Sequence, residues 1–149
     1  MTEVLFYHLE TQPLERVLPV LLERCQERGW RTCVQAGSDE RRDMLDQHLW
    51  TYSDAAFLAH GTSRDGDPAS QPIYLTSLAD NPNGATVRFI VDRAEPPDLA
   101  GYERAVFIFD GNDPEALAEA RLHWKRVKEA GLGPSYWQQD EAGRWVKKA

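Results

Sequence analysis

Arg104-Ala105-Val106-Phe107-Ile108-Phe109, followed by Asp110-Gly111-Asn112-Asp113 and then Pro114, is the stretch that decides the fold. A short apolar run without alternation, rich in strand formers, reads as a strand buried on both faces. The polar residues after it turn the chain. Asp113 stands where an N-cap belongs, and Pro114 is a first helical residue whose missing N–H is no loss there. Beyond it Leu117, Ala120, Trp124 and Val127 recur at helical spacing as an inward stripe, which Ala116 and His123 widen.

The same alternation extends outward in both directions. Val4 to Leu9 predicts a buried strand, and Leu14, Val17, Leu18, Leu21 and Leu22 predict a helix after Pro13 that runs to about Arg28 and ends at Gly29. Trp30 to Val34 predicts a second strand. Gly37-Ser38-Asp39 caps a second helix whose inward positions include Met44, Leu45 and His48. The middle is irregular: Leu49-Trp50-Thr51-Tyr52, Phe57-Leu58-Ala59-His60-Gly61, then a polar loop from Thr62 to Ser70. Pro72 to Leu75 predicts a third short strand, and the turn Asn81-Pro82-Asn83-Gly84 leads into another at residues 85–91. The tail from Tyr136 to Lys148 reads as an irregular hairpin about Asp140-Glu141-Ala142-Gly143. Strands alternating with helices predict an α/β fold with a parallel sheet covered on both faces.

The chain's 149 residues suffice for one domain spanning 1–149 with a single well-buried core. With 42% hydrophobic and 28% charged residues it reads as soluble, and no apolar run approaches the roughly 18 residues a membrane helix needs. The opening residues lack the basic-then-apolar order of a signal peptide, and Cys25 and Cys33 are too far apart for a CxxC site. Both thiols are expected in the interior of a cytoplasmic protein.

Charge is unevenly spread. The net charge is −7, yet residues 120–149 hold all four lysines and carry +4, leaving −11 for the rest. An acidic chain of this kind is a poor general binder of phosphate backbones, so association with nucleic acid should be local or indirect. Arg121, Lys125 and Lys128 fall at i, i+4 and i+7 on one helical stripe with Trp124 beside it. Cations next to a large aromatic suit a short acidic peptide with an apolar end. The plainer alternative is that Glu115 and Glu119 near the helix start, and the cations near its end, merely complement the helix dipole.

Motifs for chemistry are sparse. Gly61 to Gly66 has the GxxxxG spacing of a phosphate loop, but Asp67-Pro68 stands where Lys-Ser/Thr is required. His8, His48, His60 and His123 lack metal-ligand spacing, no GxSxG elbow exists, and Ser38-Asp39 and Ser53-Asp54 read as caps. Neither a metal, a cofactor nor a catalytic residue is expected. One enzyme reading remains open: Asp110, after a buried strand, lies where an open α/β sheet places ligands, against the alternative of a turn and cap.

Taken in order, Phe6-Tyr7-His8-Leu9, Leu49-Trp50 with Phe57-Leu58-Ala59-His60-Gly61, Phe107-Ile108-Phe109-Asp110, and Ala120-Arg121-Leu122-His123-Trp124-Lys125 to Gly131 resemble the chi subunit family of bacterial DNA polymerase III. The resemblance implies a three-layer α/β/α fold, Rossmann-like with a mainly parallel sheet, lacking a phosphate loop and without catalysis of its own. It implies an adaptor in the clamp-loader assembly that binds the acidic C-terminal tail of single-stranded DNA-binding protein. Arg121, Trp124, Lys125 and Lys128 match or neighbour family positions for that contact. Arg121 would grip the tail's carboxylate, Trp124 and Val127 would wall a pocket for its apolar end, and the lysines would steer its aspartates. A second contact, with the small psi subunit, would use Trp50, Phe57 and His60. An XPD-like repair helicase is a further partner that the resemblance implies.

Overall fold

A computed structural model describes residues 2–52 and 58–149. Its sheet has eight strands among the described residues, in the order β3-β4-β2-β5-β6-β1-β7-β8. The strands are β1 (Glu3–Leu9), β2 (Thr32–Gln35), β3 (His60–Gly61), β4 (Ile73–Thr76), β5 (Val87–Ile90), β6 (Arg104–Asp110), β7 (Gly133–Gln139) and β8 (Trp145–Lys147). Every pairing is parallel except β7 with β8. The helices are α1 (Leu14–Glu27), α2 (Asp39–Thr51) and α3 (Pro114–Glu129).

The pleat sorts side chains to two faces. Leu5, Leu9, Val34, Val87, Phe89, Val106 and Ile108 pack with α1 and α2, whereas Val4, Phe6, Ile90, Ala105, Phe107 and Phe109 pack with α3. This is the three-layer arrangement expected from the alternation of elements. Cys25 and Cys33 are buried free thiols, and burial pushes Cys33 up to about 12.

Helix α3 covers only part of its face. Over β2, β4 and β5 the covering is loop, organised around Arg88, which is 0% exposed. Its guanidinium donates to Gln35 Oε1 (2.8 Å), Leu78 O (2.7 Å), Asp80 O (2.6 Å) and Tyr102 Oη (3.0 Å). A buried cation is tolerated when its donors are met in this way.

Three expectations change. The tail does form a hairpin about residues 140–143, β7 antiparallel to β8, but it is regular and not free-standing: β7 also pairs in parallel with β1 and so joins the main sheet. His60–Gly61 adds a short strand beside β4. Met44 points outward at 41% exposure, because the buried side of α2 runs through Leu45 and Leu49, one turn apart, and Met44 lies about 100° away. His48 does face inward, for a reason the apolar pattern hides. Pro19, inside α1, has no N–H for the carbonyl of Glu15, and His48 Nε2 donates to that oxygen at 2.5 Å.

Candidate peptide-binding groove

Between α3 and the strands β1 and β7 lies a cleft of about 570 Å³ lined by Phe6, His8, Leu117, Ala120, Arg121, Trp124, Tyr136, Gln138 and Ala149. Alternation along β1 sends Phe6 and His8 to this side, and the parallel register sets Tyr136 opposite Phe6 and Gln138 opposite His8. The helix enters where the turn after β6 aims it. Asp110 Oδ1 accepts from Asn112 N (2.9 Å), and Asp113 Oδ1 caps the N–H groups of Glu115 (3.0 Å) and Ala116 (3.4 Å). Gly111 is required in that turn, since a Cβ there would lie 1.7 Å from His8 Nε2.

The wall is a chain of aromatic contacts. Phe6 stacks on Phe107 at 4.6 Å and meets the edge of Trp124 at 5.4 Å; Trp124 meets Tyr136 at 6.2 Å. His8 contacts the rings of Phe109 and Tyr136, and its Nδ1 is hydrogen-bonded to the Tyr136 hydroxyl. Such interlocked rings hold the cleft's shape without a ligand. Burial raises the Tyr136 phenol, against the opposing pull of Gln138 and the Arg121 cation, so it stays neutral near neutral pH and can donate a hydrogen bond.

Arg121 stands exposed on the rim and makes no hydrogen bond or ion pair with any described residue; Lys125 and Lys128 are likewise exposed and unpaired. Arg126, between them in sequence, turns to Glu95 at 3.4 Å on the other side of the helix. The structure therefore brings Arg121 and Trp124 together in the cleft, with the two lysines further along the same exposed stripe. Val127 falls elsewhere: it is 5% exposed, packed in the core, and reaches a shallower groove with Leu99 and Leu132. Phe6, His8, Leu117, Tyr136 and Gln138 are not legible as site residues in the sequence, because the cleft exists only once α3 packs over β1 and the pairing of β7 with β1 brings Tyr136 and Gln138 alongside. The alternation of Phe6 and His8 was the one available signal.

At the second predicted surface Trp50 is 49% exposed, and its ring centroid lies 4.2 Å from that of His60. His60, 4% exposed, faces Leu58 O (2.6 Å) and Asp46 O (3.0 Å), so it supports Trp50 from beneath. Burial raises the Asp46 carboxyl and the neighbouring His60 lowers it. Phe57 and the Ser53-Asp54 pair lie outside the described residues.

The enzyme reading placed a site at the C-terminal ends of β1 and β6. A cleft of about 570 Å³ exists there, with Glu10, Glu15, Asp92, Asp110 and Asp113 in its lining against Arg41 and Arg93. Both arginines are engaged, Arg41 with Glu15 (3.1 Å) and Asp92 (2.9 Å), Arg93 with Glu115 (3.1 Å) and Glu119. The carboxylates left over would repel a phosphate. Among the described residues no group of three or more His, Cys, Asp or Glu side chains could hold a metal ion, and no helix is long and apolar enough to cross a membrane.

A sequence model of the family described as "DNA polymerase III chi subunit, HolC" matches residues 1–135. A curated relative from Rickettsia prowazekii (strain Madrid E), named "Probable DNA polymerase III subunit chi", is 33% identical over 100 residues, 67% of this chain. Those residues span 59% of the relative's length.

Proposed function

The chain belongs to the DNA polymerase III chi subunit family, and on that premise we propose that it is a non-catalytic adaptor of the replication machinery whose α3 groove binds the acidic C-terminal tail of single-stranded DNA-binding protein. One observation carries this reading: the guanidinium of Arg121, unpaired among the described residues, at the mouth of an aromatic cleft. A tail that ends in an apolar residue with a free carboxylate complements both parts. The carboxylate meets Arg121 in a charge-assisted bond, and the apolar side chain enters between Leu117, Trp124 and Tyr136. Lys125 and Lys128 meet the preceding aspartates. Val127 acts from the core, holding the helix against the sheet.

The adaptor would work in the clamp-loader complex in the cytoplasm, and its contact with nucleic acid would be mainly indirect. The exposed face of Trp50, with His60 behind it and Phe57 nearby in sequence, is the surface proposed for the psi subunit. An XPD-like helicase is a further proposed partner. The nucleotide-site alternative near Asp110 has less support, because its cations are already paired; nucleotide with magnesium should leave the melting temperature unchanged.

The test is calorimetric titration with the coating protein, intact and lacking its last few residues. Binding to the intact protein and none to the truncated one is expected; equal binding to both would refute the assignment.

A further inference from the structure

A second cationic cleft lies on the opposite face of the sheet, between the C-terminal half of α1 and the N-terminal ends of β5 and β6. It encloses about 150 Å³ and includes Tyr7, Arg24, Cys25, Arg28, Trp30 and Arg104 in its lining. Arg24 lies in the last turn of α1, Arg28 is the C-cap residue one turn further on, and Arg104 comes from β6. Trp30 sits against two of these cations, with Arg28 and Arg104 each 4.9 Å from its ring. Those stacks fix the two guanidiniums while leaving their N–H edges free to donate.

The plain role for Arg24 and Arg28 is to complement the C-terminal dipole of α1. That end is already closed by backbone, however: Arg28 N, Gly29 N and Trp30 N take the carbonyls of Arg24, Cys25 and Gln26. Neither side chain makes an ion pair or hydrogen bond with a described residue, and Arg104 has one carboxylate partner, Glu3 at 3.1 Å. Three arginines against one carboxylate invert the sign of the chain's net charge of −7 locally. The cleft is also continuous with a strip of aromatic surface. Tyr7 stacks on Trp145 at 4.4 Å and 23° and meets Trp137 edge-on at 6.3 Å, all three half-buried.

We propose that this cleft takes the phosphate backbone of single-stranded nucleic acid, with the Tyr7, Trp145 and Trp137 strip as the surface its bases meet. Convergent guanidiniums beside sequence-tolerant aromatic faces are the chemistry that recognises a single strand. Alternation along β1 puts Tyr7 here and Phe6 in the α3 groove, so strand and peptide would be held on opposite faces without competing. The acidic remainder of the chain keeps the contact weak, with a dissociation constant on the order of 100 µM at low salt. This inference does not depend on the peptide reading.

The experiment is a titration of the whole chain with an oligothymidylate of about twelve nucleotides, followed by ¹H–¹⁵N NMR. Shifts should centre on Gly29, Trp30 (including its indole N–H), Arg31, Tyr7 and Arg104. The exposed double variant Arg24→Ala/Arg28→Ala should weaken them at least fivefold, a conservative figure for two lost phosphate contacts, and Lys125→Ala/Lys128→Ala should not. With about three contacts, raising salt from about 50 mM to about 200 mM should lower affinity roughly twentyfold. Shifts that are absent, that map to α3, or that survive in the double variant overturn the proposal. So does an acidic peptide that reproduces them, which would make the cleft a carboxylate site. Failure of the oligonucleotide titration leaves untouched tail binding at Arg121, which is tested separately with the coating protein and its truncated form.

Discussion

Arg88 and Arg121 serve the same layer of the molecule and are handled in opposite ways. Arg88 lies beneath the loops that close one half of a sheet face, with its donors spent on Gln35, Leu78, Asp80 and Tyr102. Arg121 lies on the helix that covers the other half, beside an aromatic cleft, with no described partner. A buried cation whose bonds are complete can only be structural. An exposed one left unpaired next to preformed apolar surface is available to a ligand, and this difference, more than net charge, separates a core residue from a site residue.

The comparison breaks most visibly at Arg88. Arg88→Met takes the shared donor from the buried Gln35 amide oxygen and from the part-buried carbonyls of Leu78 and Asp80, and should lower stability by about 3 kcal/mol in urea denaturation, with peptide affinity of the folded protein unchanged. His48→Ala removes the donor that replaces the N–H missing at Pro19 and should cost about 1–2 kcal/mol, again without effect on binding. On the α3 side, Lys125→Ala and Lys128→Ala should each cost about 1 kcal/mol or less of peptide affinity. Stopped-flow measurement should find the loss mainly in association rate and reduced by salt.

The smallest effect concerns His123, whose Nδ1 is buried without a hydrogen-bond partner among the described residues and which stacks on Phe107 at 5.2 Å. Burial lowers its pKa below the ordinary histidine value, so the folded chain binds this proton less readily than the unfolded chain. Its contribution is intact above the ordinary histidine range and is lost as pH falls through that range toward the lower folded value. The readout is a difference between variant and parent, so that every contribution the two share cancels. The stability of His123→Phe relative to the parent should rise as pH falls from about 7 to about 5; a constant difference would show that His123 does not titrate there.

How much of this the sequence discloses follows from the range of each interaction. Local signals were readable: the Asp113–Pro114 start of α3, the Ser38 cap of α2, whose Oγ accepts from Arg41 N at 3.2 Å, and the unbroken apolar run of β6. Partnerships across the fold were not. Pro19 and His48 are joined only because α1 and α2 pack side by side, and Met44 looked inward because one residue's offset on a helix is invisible to composition. The cationic stripe of the groove could be read from α3 alone. Its opposite wall was not: Tyr136 comes under the helix only because β7 chooses β1 as its neighbour, and Phe6 and His8 because β1 lies beneath α3, whereas Val127 faces the core as its place in the inward stripe of α3 implies.

The most direct test of the central claim is a fluorescence titration of a labelled acidic tail peptide against the parent, Arg121→Ala and Trp124→Ala, with thermal melting to confirm that each is folded. Arg121→Ala should lose about 1.5–3 kcal/mol of binding, roughly tenfold or more in affinity, and removal of the peptide's terminal apolar residue should cost at least as much. If both variants bind the peptide as the parent does, the stripe on α3 is only a solvated helix face and the peptide site lies elsewhere.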